Sequence, residues 1–470
     1  MTGLWTAADA IKATGGMLAG ANDWAAGGVS FDSREVQPGD LFVAIKGARD
    51  GHDFVADAFS KGAVAAVISA QPKNAPPGAN LLAVPDTLEA LERMGKARRA
   101  QVAGRICAVT GSAGKTGTKE ALRQCLAPSG LVHASVKSFN NQLGVPLTLA
   151  RMPRETEFGV FEIGMNHPGE ILPLAKMVRP HVVIVTTVQP VHLEFFASVE
   201  EIADAKGEIF AGLEPGGIAI INRDSVHYDR LCAHARNAGA LEIWGFGEDS
   251  SSDLRLCGLT VGTDGSTVSA EVLGHPISYK IGAPGRHLVM NSLAVMGAVK
   301  ALGGDPALAG LEYAKLEAAE GRGRRYEVAL ELGVLTVVDE SYNANPASMR
   351  AAIETLGASS PGAQGRRIAV LGDMLELGPE GPEYHAGLAQ PLSEAEIDLV
   401  FCAGPLMAQL WNALPDAQRG LYAQRSSDFA EAVKAEARAG DVVMVKGSLG
   451  SNMKPIVEAL LAQDQSTNKR

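Results

Sequence analysis

The stretch Ile106–Glu120 constrains this chain most, because it reads as a buried strand, a glycine-rich loop and the start of a helix. Gly111 and Gly114 let the backbone approach an anion, while backbone N–H groups and the helix N-terminus supply partial positive charge. Lys115 adds a full positive charge, and Thr116 would place its hydroxyl on Mg²⁺. The stretch therefore predicts a phosphate-binding loop whose ligand is ATP.

The spacing of this loop departs from the common G-x-x-x-x-G-K-[ST] pattern, because Val109 stands where that pattern needs a glycine. The loop is two residues shorter and reads G-x-x-G-K-T. A glycine-rich turn without a ligand is the alternative. Gly-Lys-Thr directly after a buried strand has few structural reasons to exist, so phosphate binding is favoured.

Length and composition exclude several classes of protein. A chain of 470 residues is too long for one core and predicts two to four domains, and 46% apolar with 20% charged residues is typical of globular proteins. The net charge of -11 argues against a nucleic-acid partner. No apolar run is long enough for a membrane span, so a soluble protein is expected, with a monomer as the working expectation.

The cysteines indicate neither a disulfide framework nor a zinc site, because they are odd in number, widely scattered and form no C-x-x-C pair. This usage predicts a reducing, cytoplasmic location. The five residues are Cys107, Cys125, Cys232, Cys257 and Cys402.

Three α/β domains are predicted: a small one at 1–103, a central one at 104–318 and a C-terminal one at 319–470. The central domain should be a mostly parallel sheet, with an antiparallel hairpin and one more strand within Leu254–Ile281. The C-terminal domain alternates strands and helices, which is typical of a doubly wound, Rossmann-like sheet. Its predicted elements are strands Val334–Asp339, Arg367–Leu371, Asp398–Ala403 and Asp441–Val445, and helices Ser348–Leu356, Tyr384–Leu392, Leu406–Ala413 and Asn452–Ala462.

Polar residues at the ends of the central strands predict a site beside the phosphate loop. Glu162 ends one buried strand, His192 follows the next, and Lys206 lies on a helix that faces the same edge. With Thr116 they form a set suited to two metal ions around a nucleotide γ-phosphate. Singly, each has a plainer explanation: a helix-capping carboxylate, a loop histidine or a surface lysine. Their coincidence favours the site.

The loop Thr110–Thr116 resembles the ATP loop of the Mur ligases, the ATP-dependent amide ligases of peptidoglycan precursor synthesis. Further segments, spread in order over all three predicted domains, resemble the members that add D-alanyl-D-alanine. They are Asp32–Arg34, Ser138–Pro146, Glu162–His167, Ala205–Phe210, Ser341–Pro346, Gly372–Gly378 and Val445–Ser448.

The resemblance implies a UDP-substrate domain, a central ATPase domain and a C-terminal domain that closes over ATP. It implies that the γ-phosphoryl group passes to the carboxylate of UDP-N-acetylmuramoyl-tripeptide, and that the amine of D-alanyl-D-alanine attacks the acyl phosphate. Whether the third peptide residue is diaminopimelate or lysine stays open. The products would be the pentapeptide, ADP and phosphate, used in cell wall synthesis, cell shape and division.

Site residues also follow from the resemblance. It implies that Lys115, Glu162, His192 and Lys206 are catalytic, with Mg²⁺ held by Thr116, Glu162, His192 and a carbamylated Lys206. The implied ATP contacts are Gly111, Ser112, Ala113, Gly114, Lys115, Thr116, Gly117, Asn291 (adenine), Arg322 (phosphates), Asp339, Asn343 and Asn345. The implied substrate contacts are Asp32, Ser33, Arg34, Asn140, Asn141 and Lys446. The segment Phe31–Asp40, by itself, is as consistent with a solvated turn as with a binding loop.

Several positions depart from the family pattern. Gly117 replaces a serine or threonine, Leu288 replaces an asparagine, and Leu449 stands where an arginine often follows Lys-Gly-Ser. Arg324 and Arg325 compete with Arg322 for the phosphate role. The alternatives are a ligase for another amino acid, a folylpolyglutamate synthase-like ligase, or a catalytically silent nucleotide-binding protein. Folate ligases normally lack the first domain, and the joint presence of the four catalytic residues counts against a silent protein.

Overall fold

The structure is a computed structural model that describes residues 3–20, 23–136, 138–191, 193–262, 265–283, 285–318 and 320–465, with the side chains of 261 and 262 left out. Within these ranges no helix is long and apolar enough to cross a membrane. The described strands form three large sheets and one two-stranded ribbon.

The first large sheet has the strand order β2-β7-β6-β5-β4 and is parallel except for β2, while β1 and β3 pair separately. Helix α1 begins where the Thr6 hydroxyl accepts a hydrogen bond from the Asp9 N–H, and it ends at the left-handed Gly15. The strands are β1 Trp5–Thr6, β2 Met17–Ala19, β3 Ala25–Ala26, β4 Gly28–Ser30, β5 Asp40–Val43, β6 Ala65–Ile68 and β7 Leu81–Ala83. The helices are α1 Ala7–Thr14, α2 Val55–Ser60 and α3 Thr87–Gln101.

The second sheet has the order β16-β15-β14-β13-β12-β11-β8-β10-β9. It is parallel from β9 to β14 and antiparallel from β14 to β16, as the sequence predicts. Its strands are β8 Arg105–Thr110, β9 Val132–Ala134, β10 Phe158–Glu162, β11 Val182–Val185, β12 Ile218–Asn222, β13 Glu242–Gly247, β14 Leu254–Gly262, β15 Gly265–Val272 and β16 His275–Ile281. Its helices are α4 Lys115–Leu126, α5 Gly144–Ala150, α6 Ile171–Val178, α7 Val199–Gly207, α8 Tyr228–Asn237, α9 Arg286–Ala301 and α10 Pro306–Tyr313.

Strand β8 occupies the position in this sheet where ligands bind. Its side chains alternate between two cores, with Cys107 and Val109 in one and Ile106 and Ala108 in the other. The strands on either side of it, β10 and β11, both come later in the chain. The chain order therefore reverses at β8, and parallel sheets bind ligands beyond the carboxyl ends of strands at such a point.

The third sheet has the order β17-β18-β22-β19-β20-β21, with β17 antiparallel and the others parallel. Hydrophobic cores cover both of its faces, which confirms the doubly wound architecture. The strands are β17 Arg324–Leu330, β18 Gly333–Glu340, β19 Arg367–Gly372, β20 Leu399–Ala403, β21 Arg419–Ala423 and β22 Val442–Lys446. The helices are α11 Pro346–Gly357, α12 Gly381–Ala386, α13 Ala389–Glu394, α14 Met407–Ala413, α15 Ala430–Glu436 and α16 Lys454–Leu461.

The sequence missed strands β17 and β21, which lie at the two edges of this sheet, and helix α15, which packs on one of its faces. Strand β17 begins with two arginines, and β21 contains a glycine and no fully buried residue, so neither shows the apolar run of a central strand. The helix predicted over Tyr384–Leu392 is instead two short helices, α12 and α13. Edge elements carry weak patterns because only one side of them packs against the protein.

Candidate active site

The two glycines of the phosphate loop are required by its backbone and by its neighbours. Gly111 has φ +147° and Gly114 has φ +81°, conformations that L side chains rarely adopt. A Cβ on Gly111 would overlap the hydroxyl of Thr186, and one on Gly114 would overlap the amide of Asn291. The tight turn between β8 and α4 therefore needs glycine at both positions, and two of its residues, Ala113 and Gly114, line an open cavity.

The loop is anchored to the segment that follows β11. The Ser112 N–H donates to the Thr187 carbonyl at 2.8 Å, and the Ser112 hydroxyl donates to the Gln189 carbonyl at 3.1 Å. The Thr186 hydroxyl donates to the Ala113 carbonyl at 2.6 Å. Ser112 thus shapes the loop through its side chain, a role that the sequence did not show. Thr186 was missed, although its place at the end of β11 is the signal that marks it.

Lys115 folds back across the loop, where its Nζ donates to the Gly111 carbonyl at 2.6 Å. Burial lowers the pKa of this ammonium, and the nearby charge of Arg322 adds to the shift, while Glu162 opposes it. The amine is therefore close to both the loop and the carboxylate.

Thr116 and Glu162 meet as the sequence predicts. The Thr116 hydroxyl donates to Glu162 Oε2 at 2.8 Å, and the Asn140 amide donates to Glu162 Oε1 at 2.7 Å. The side chain of Glu162 is almost wholly buried, with 1% exposure. Both of these donors are side chains and neither is a helix backbone N–H, which argues against the helix-capping explanation of Glu162.

Lys206 lies on α7 and is buried, with 2% exposure. Burial and the charge of Lys115 hold the pKa of the Lys206 amine well below its usual range. Among the described residues no carboxylate counteracts this shift. The explanation of Lys206 as a surface lysine is therefore wrong.

The donor set fits Mg²⁺ in kind. A hydroxyl and a buried carboxylate are hard oxygen ligands, and Mg²⁺ commonly takes one or two carboxylates together with substrate phosphates. His192 lies outside the described residues. Within the described ranges, no cluster of three or more His, Cys, Asp and Glu side chains forms a metal site from the protein alone. The metal-ligand role of Lys206 stays a prediction.

A cavity of about 490 Å³ opens beside the loop, between the second and third sheets. Residues from both sheets line it, which places most of the predicted nucleotide contacts around one space. Predicted nucleotide contacts among its lining residues are Ala113, Gly114, Gly117, Asn291, Arg322, Asn343 and Asn345, and the predicted substrate contact Lys446 lines it as well.

Of the three arginines considered for the phosphate contact, Arg322, Arg324 and Arg325, Arg322 is the one that lines this cavity. It lines the wall, donates to the Ser138 hydroxyl at 3.1 Å and lies over the ring of Tyr342 at 4.2 Å. Arg324, by contrast, lies over Tyr326 on β17. The geometry therefore favours Arg322 for a phosphate contact. Leu288 also lines the cavity, whereas Leu449 is 65% exposed outside it.

Asp339 is not on the cavity wall. One oxygen of its buried carboxylate accepts from the Gly321 N–H at 2.9 Å, and the other accepts from the Ser341 N–H and hydroxyl. It orders the turn that carries Arg322, so a direct nucleotide contact by Asp339 stays a prediction.

Asn345 and Lys446 also have internal roles at the cavity. Asn345 caps α11 through a reciprocal pair of hydrogen bonds with Ser348. Lys446 donates to Glu340 at 3.1 Å and to the Asn343 carbonyl at 3.0 Å. A nucleotide would therefore compete with, or add to, these existing bonds.

The segment Asp32–Arg34, predicted to bind the UDP-linked substrate, follows strand β4 of the first sheet. Arg34 pairs with Asp32 at 2.6 Å, and Ser33 is buried with its carbonyl accepting from Lys61 at 2.9 Å. Arg34 itself is exposed. Asn141 accepts from the N–H groups of Leu143 and Gly144 at the start of α5. Asn141 therefore has a local structural role, and its substrate contact stays a prediction.

Known proteins with similar sequences and structures point in one direction. Family models described as Mur ligase family, catalytic domain; Mur ligase middle domain; and Mur ligase, glutamate ligase domain match residues 26–99, 109–299 and 324–449. A UDP-N-acetylmuramoyl-tripeptide–D-alanyl-D-alanine ligase from Rickettsia prowazekii is 32% identical over 92% of this chain and 94% of its own.

Solved structures agree with these matches. A crystal structure of MurF from Acinetobacter baumannii superposes with a TM-score of 0.84 and 27% identity, covering 97% of this chain and 99% of that one. MurF ligase from Thermotoga maritima in complex with ADP superposes with a TM-score of 0.77 and 26% identity, covering 93% and 97%.

Proposed function

Because this chain belongs to the Mur ligase family, we propose that it joins D-alanyl-D-alanine to the terminal carboxylate of UDP-N-acetylmuramoyl-tripeptide, converting ATP to ADP and phosphate. The product would be the UDP-linked pentapeptide of peptidoglycan precursor synthesis. The observation that carries the proposal is the cavity between the phosphate loop and the third sheet, lined by Gly114, Asn291, Arg322 and Asn343.

The first step activates a carboxylate, which is a poor electrophile until one oxygen becomes a phosphate. The substrate carboxylate attacks the γ-phosphorus of ATP, the bond to the bridging oxygen breaks, and ADP leaves. N–H groups of the Gly111–Thr116 loop and the Lys115 ammonium stabilise the charge that builds on the transferring group. Mg²⁺ would be held by Thr116 and Glu162, and it supplies further neutralisation of the phosphate charge.

The second step forms the amide bond. The neutral amine of D-alanyl-D-alanine attacks the carbonyl carbon of the acyl phosphate, phosphate leaves with the bonding electron pair, and the amine loses a proton. Arg322 and Lys446 lie on the third-sheet side of the cavity, where they would hold phosphate groups while the acyl phosphate forms.

Lys206 would contribute as a carbamate. The conditions that lower the pKa of its amine favour the neutral form, which is the form that attacks CO₂ and releases a proton. The resulting carbamate would be an anionic oxygen ligand, and together with His192 and Glu162 it would complete a second Mg²⁺ site.

The proposal extends to the whole chain. Residues 1–103 would bind the UDP-substrate through Asp32, Ser33 and Arg34, residues 104–318 would bind ATP, and residues 319–470 would close over it. Asn140 and Asn141 would meet the substrate from the central domain.

All five cysteines are free thiols, which fits the proposed cytoplasmic location, and the protein would act as a monomer.

The test is a coupled ligation assay with purified protein, ATP, Mg²⁺ and D-alanyl-D-alanine. UDP-linked tripeptides ending in diaminopimelate and in lysine are supplied separately. We expect phosphate release that requires both the tripeptide and the dipeptide, and a product heavier by one dipeptide residue. Release with a single amino acid or with a folate in place of these substrates would contradict the proposal, as would an inactive protein that still binds ATP.

A further inference from the structure

A single serine, Ser138, connects Arg322 to the predicted metal-binding pair of Thr116 and Glu162. Arg322 donates to the Ser138 hydroxyl at 3.1 Å, and that hydroxyl lies 3.2 Å from the Thr116 hydroxyl. The Thr116 hydroxyl in turn donates to Glu162 at 2.8 Å. No family role was assigned to Ser138 from the sequence, although it begins the segment Ser138–Pro146.

The direction of each hydrogen bond follows from counting protons. A guanidinium only donates and an ionised carboxylate only accepts. Thr116 has one hydroxyl proton, and it goes to Glu162. Ser138 must therefore donate to Thr116 while it accepts from Arg322. The result is one ordered path from Arg322 through Ser138 and Thr116 to Glu162, in which each hydroxyl both accepts and donates.

The position of Arg322 is determined by the third sheet. The N–H of Gly321 donates to the Asp339 carboxylate, and the N–H of Gly323 donates to the Asp339 carbonyl at 2.8 Å. The guanidinium lies over Tyr342, which follows β18. The Arg322–Ser138 hydrogen bond therefore connects the C-terminal sheet to the central one, and it would form or break as those parts move.

The neighbours of Ser138 in sequence extend the connection. Asn140 donates to the second oxygen of Glu162 at 2.7 Å. Between them, the ring of Phe139 lies 6.2 Å from the ring of Phe31, which directly precedes Asp32. Three consecutive residues thus have distant partners: Ser138 contacts Arg322, Phe139 lies beside Phe31, and Asn140 contacts Glu162.

We propose that Ser138 is a positioning residue that links the placement of Arg322 to the orientation of Thr116 and Glu162. Without the hydroxyl, Arg322 loses its contact with the central sheet and Thr116 loses its donor. In the nucleotide site, Arg322 would then no longer be held in a fixed position relative to Thr116 and Glu162. This inference deepens the proposed ligase function and rests on it for the turnover readout, whereas the binding readout is independent of ligation.

The test compares Ser138→Ala with Ser138→Thr, which keeps the hydroxyl, and with Ser278→Ala, an exposed serine of the same sheet. Binding of a non-hydrolysable ATP analogue with Mg²⁺ is measured by calorimetry. We expect Ser138→Ala to weaken binding about tenfold, the scale of one hydrogen bond to a charged group. Ser138→Thr should recover most of this loss, and Ser278→Ala should bind as the unchanged protein does.

A double-mutant cycle distinguishes a link from a local contact. If Ser138 transmits the position of Arg322, Arg322→Ala should cost less binding in the Ser138→Ala background than alone. Additive losses would overturn the proposal, as would unchanged binding by Ser138→Ala or a Ser138→Thr variant as weak as Ser138→Ala. In turnover, the KM for ATP should rise in Ser138→Ala while the KM for D-alanyl-D-alanine stays within about twofold. Failure of ligation by the unchanged protein would instead reject the proposed function.

Discussion

Glu162 Oε2 accepts a hydrogen bond from the Thr116 hydroxyl at 2.8 Å, although the two residues are 46 positions apart in the chain. The contact arises because β8 and β10 are parallel neighbours, with Glu162 in register with Val109. Glu162 therefore ends its strand level with the start of the phosphate loop, and Thr116 on the first turn of α4 reaches it. Sheet register and the tight turn of the loop together bring Thr116 and its carboxylate partner into contact.

Lys115→Ala should lower kcat by about 10³-fold or more, because it removes a preorganised charge from the transferring phosphoryl group. The measurement is ATP- and dipeptide-dependent phosphate release. The exposed Lys300→Ala, on α9 of the same sheet, is the charge-matched control and should keep normal turnover. Near-normal turnover by Lys115→Ala would remove this loop from the proposed mechanism.

Lys206→Ala should lose most activity while the phosphate loop still binds nucleotide, because a carbamate ligand is lost and the loop's own contacts are retained. A short carboxylic acid added to the variant should restore part of the rate by occupying the vacated ligand position. Mass spectrometry after trapping should show CO₂ on Lys206 in the unchanged protein. Full activity of Lys206→Ala in bicarbonate-free buffer would show that the second metal site uses another ligand.

Gly111→Ala and Gly117→Ala form a matched pair within seven residues. At Gly111 the added Cβ overlaps Thr186 and the φ of +147° is strained, so nucleotide binding should fall sharply. At Gly117, inside α4, a Cβ meets nothing within 4 Å, and alanine should stabilise the helix by about 0.5–1 kcal/mol. Calorimetry for binding and denaturant unfolding for stability check both. Equal binding by the two variants would contradict a close backbone approach at Gly111.

Asp32 should make a pH-dependent contribution to stability. The hydrogen bond and charge of Arg34 lower the pKa of its carboxyl from 3.8 to about 2. A carboxyl whose folded pKa is lowered stabilises the fold above pH 3.8, and that contribution is lost as the pH falls toward 2. Since Arg34 is 74% exposed, solvent screening keeps the effect small. Asp32→Asn should therefore be less stable than the unchanged protein at pH 7, and this difference should shrink as the pH falls from 3.8 through 2, measured by urea unfolding. A difference that stays constant from pH 7 to pH 2 would contradict the ion pair.

The sequence by itself determined the phosphate loop, the parallel central sheet with its antiparallel end, and the doubly wound C-terminal sheet. These follow from local signals: two glycines before Lys115, buried apolar runs, and turn residues between them. The same signals identified Glu162 and Lys206 as candidates, because each follows or faces a strand end. Edge strand β17 and the division of α12 from α13 were missed, since half-exposed or short elements carry weak periodicity.

Only the tertiary structure decided which residues meet. The sequence favoured Arg322 but left Arg324 and Arg325 as competitors, and of these three only Arg322, on the turn held by Asp339, lines the cavity. The tertiary structure also shows that Asn141 stabilises the start of a helix and that Ser138 forms the contact between two sheets. Such assignments depend on side chains brought together from distant parts of the chain. Strand register and loop closure set these distances, and no local pattern of residue types records them.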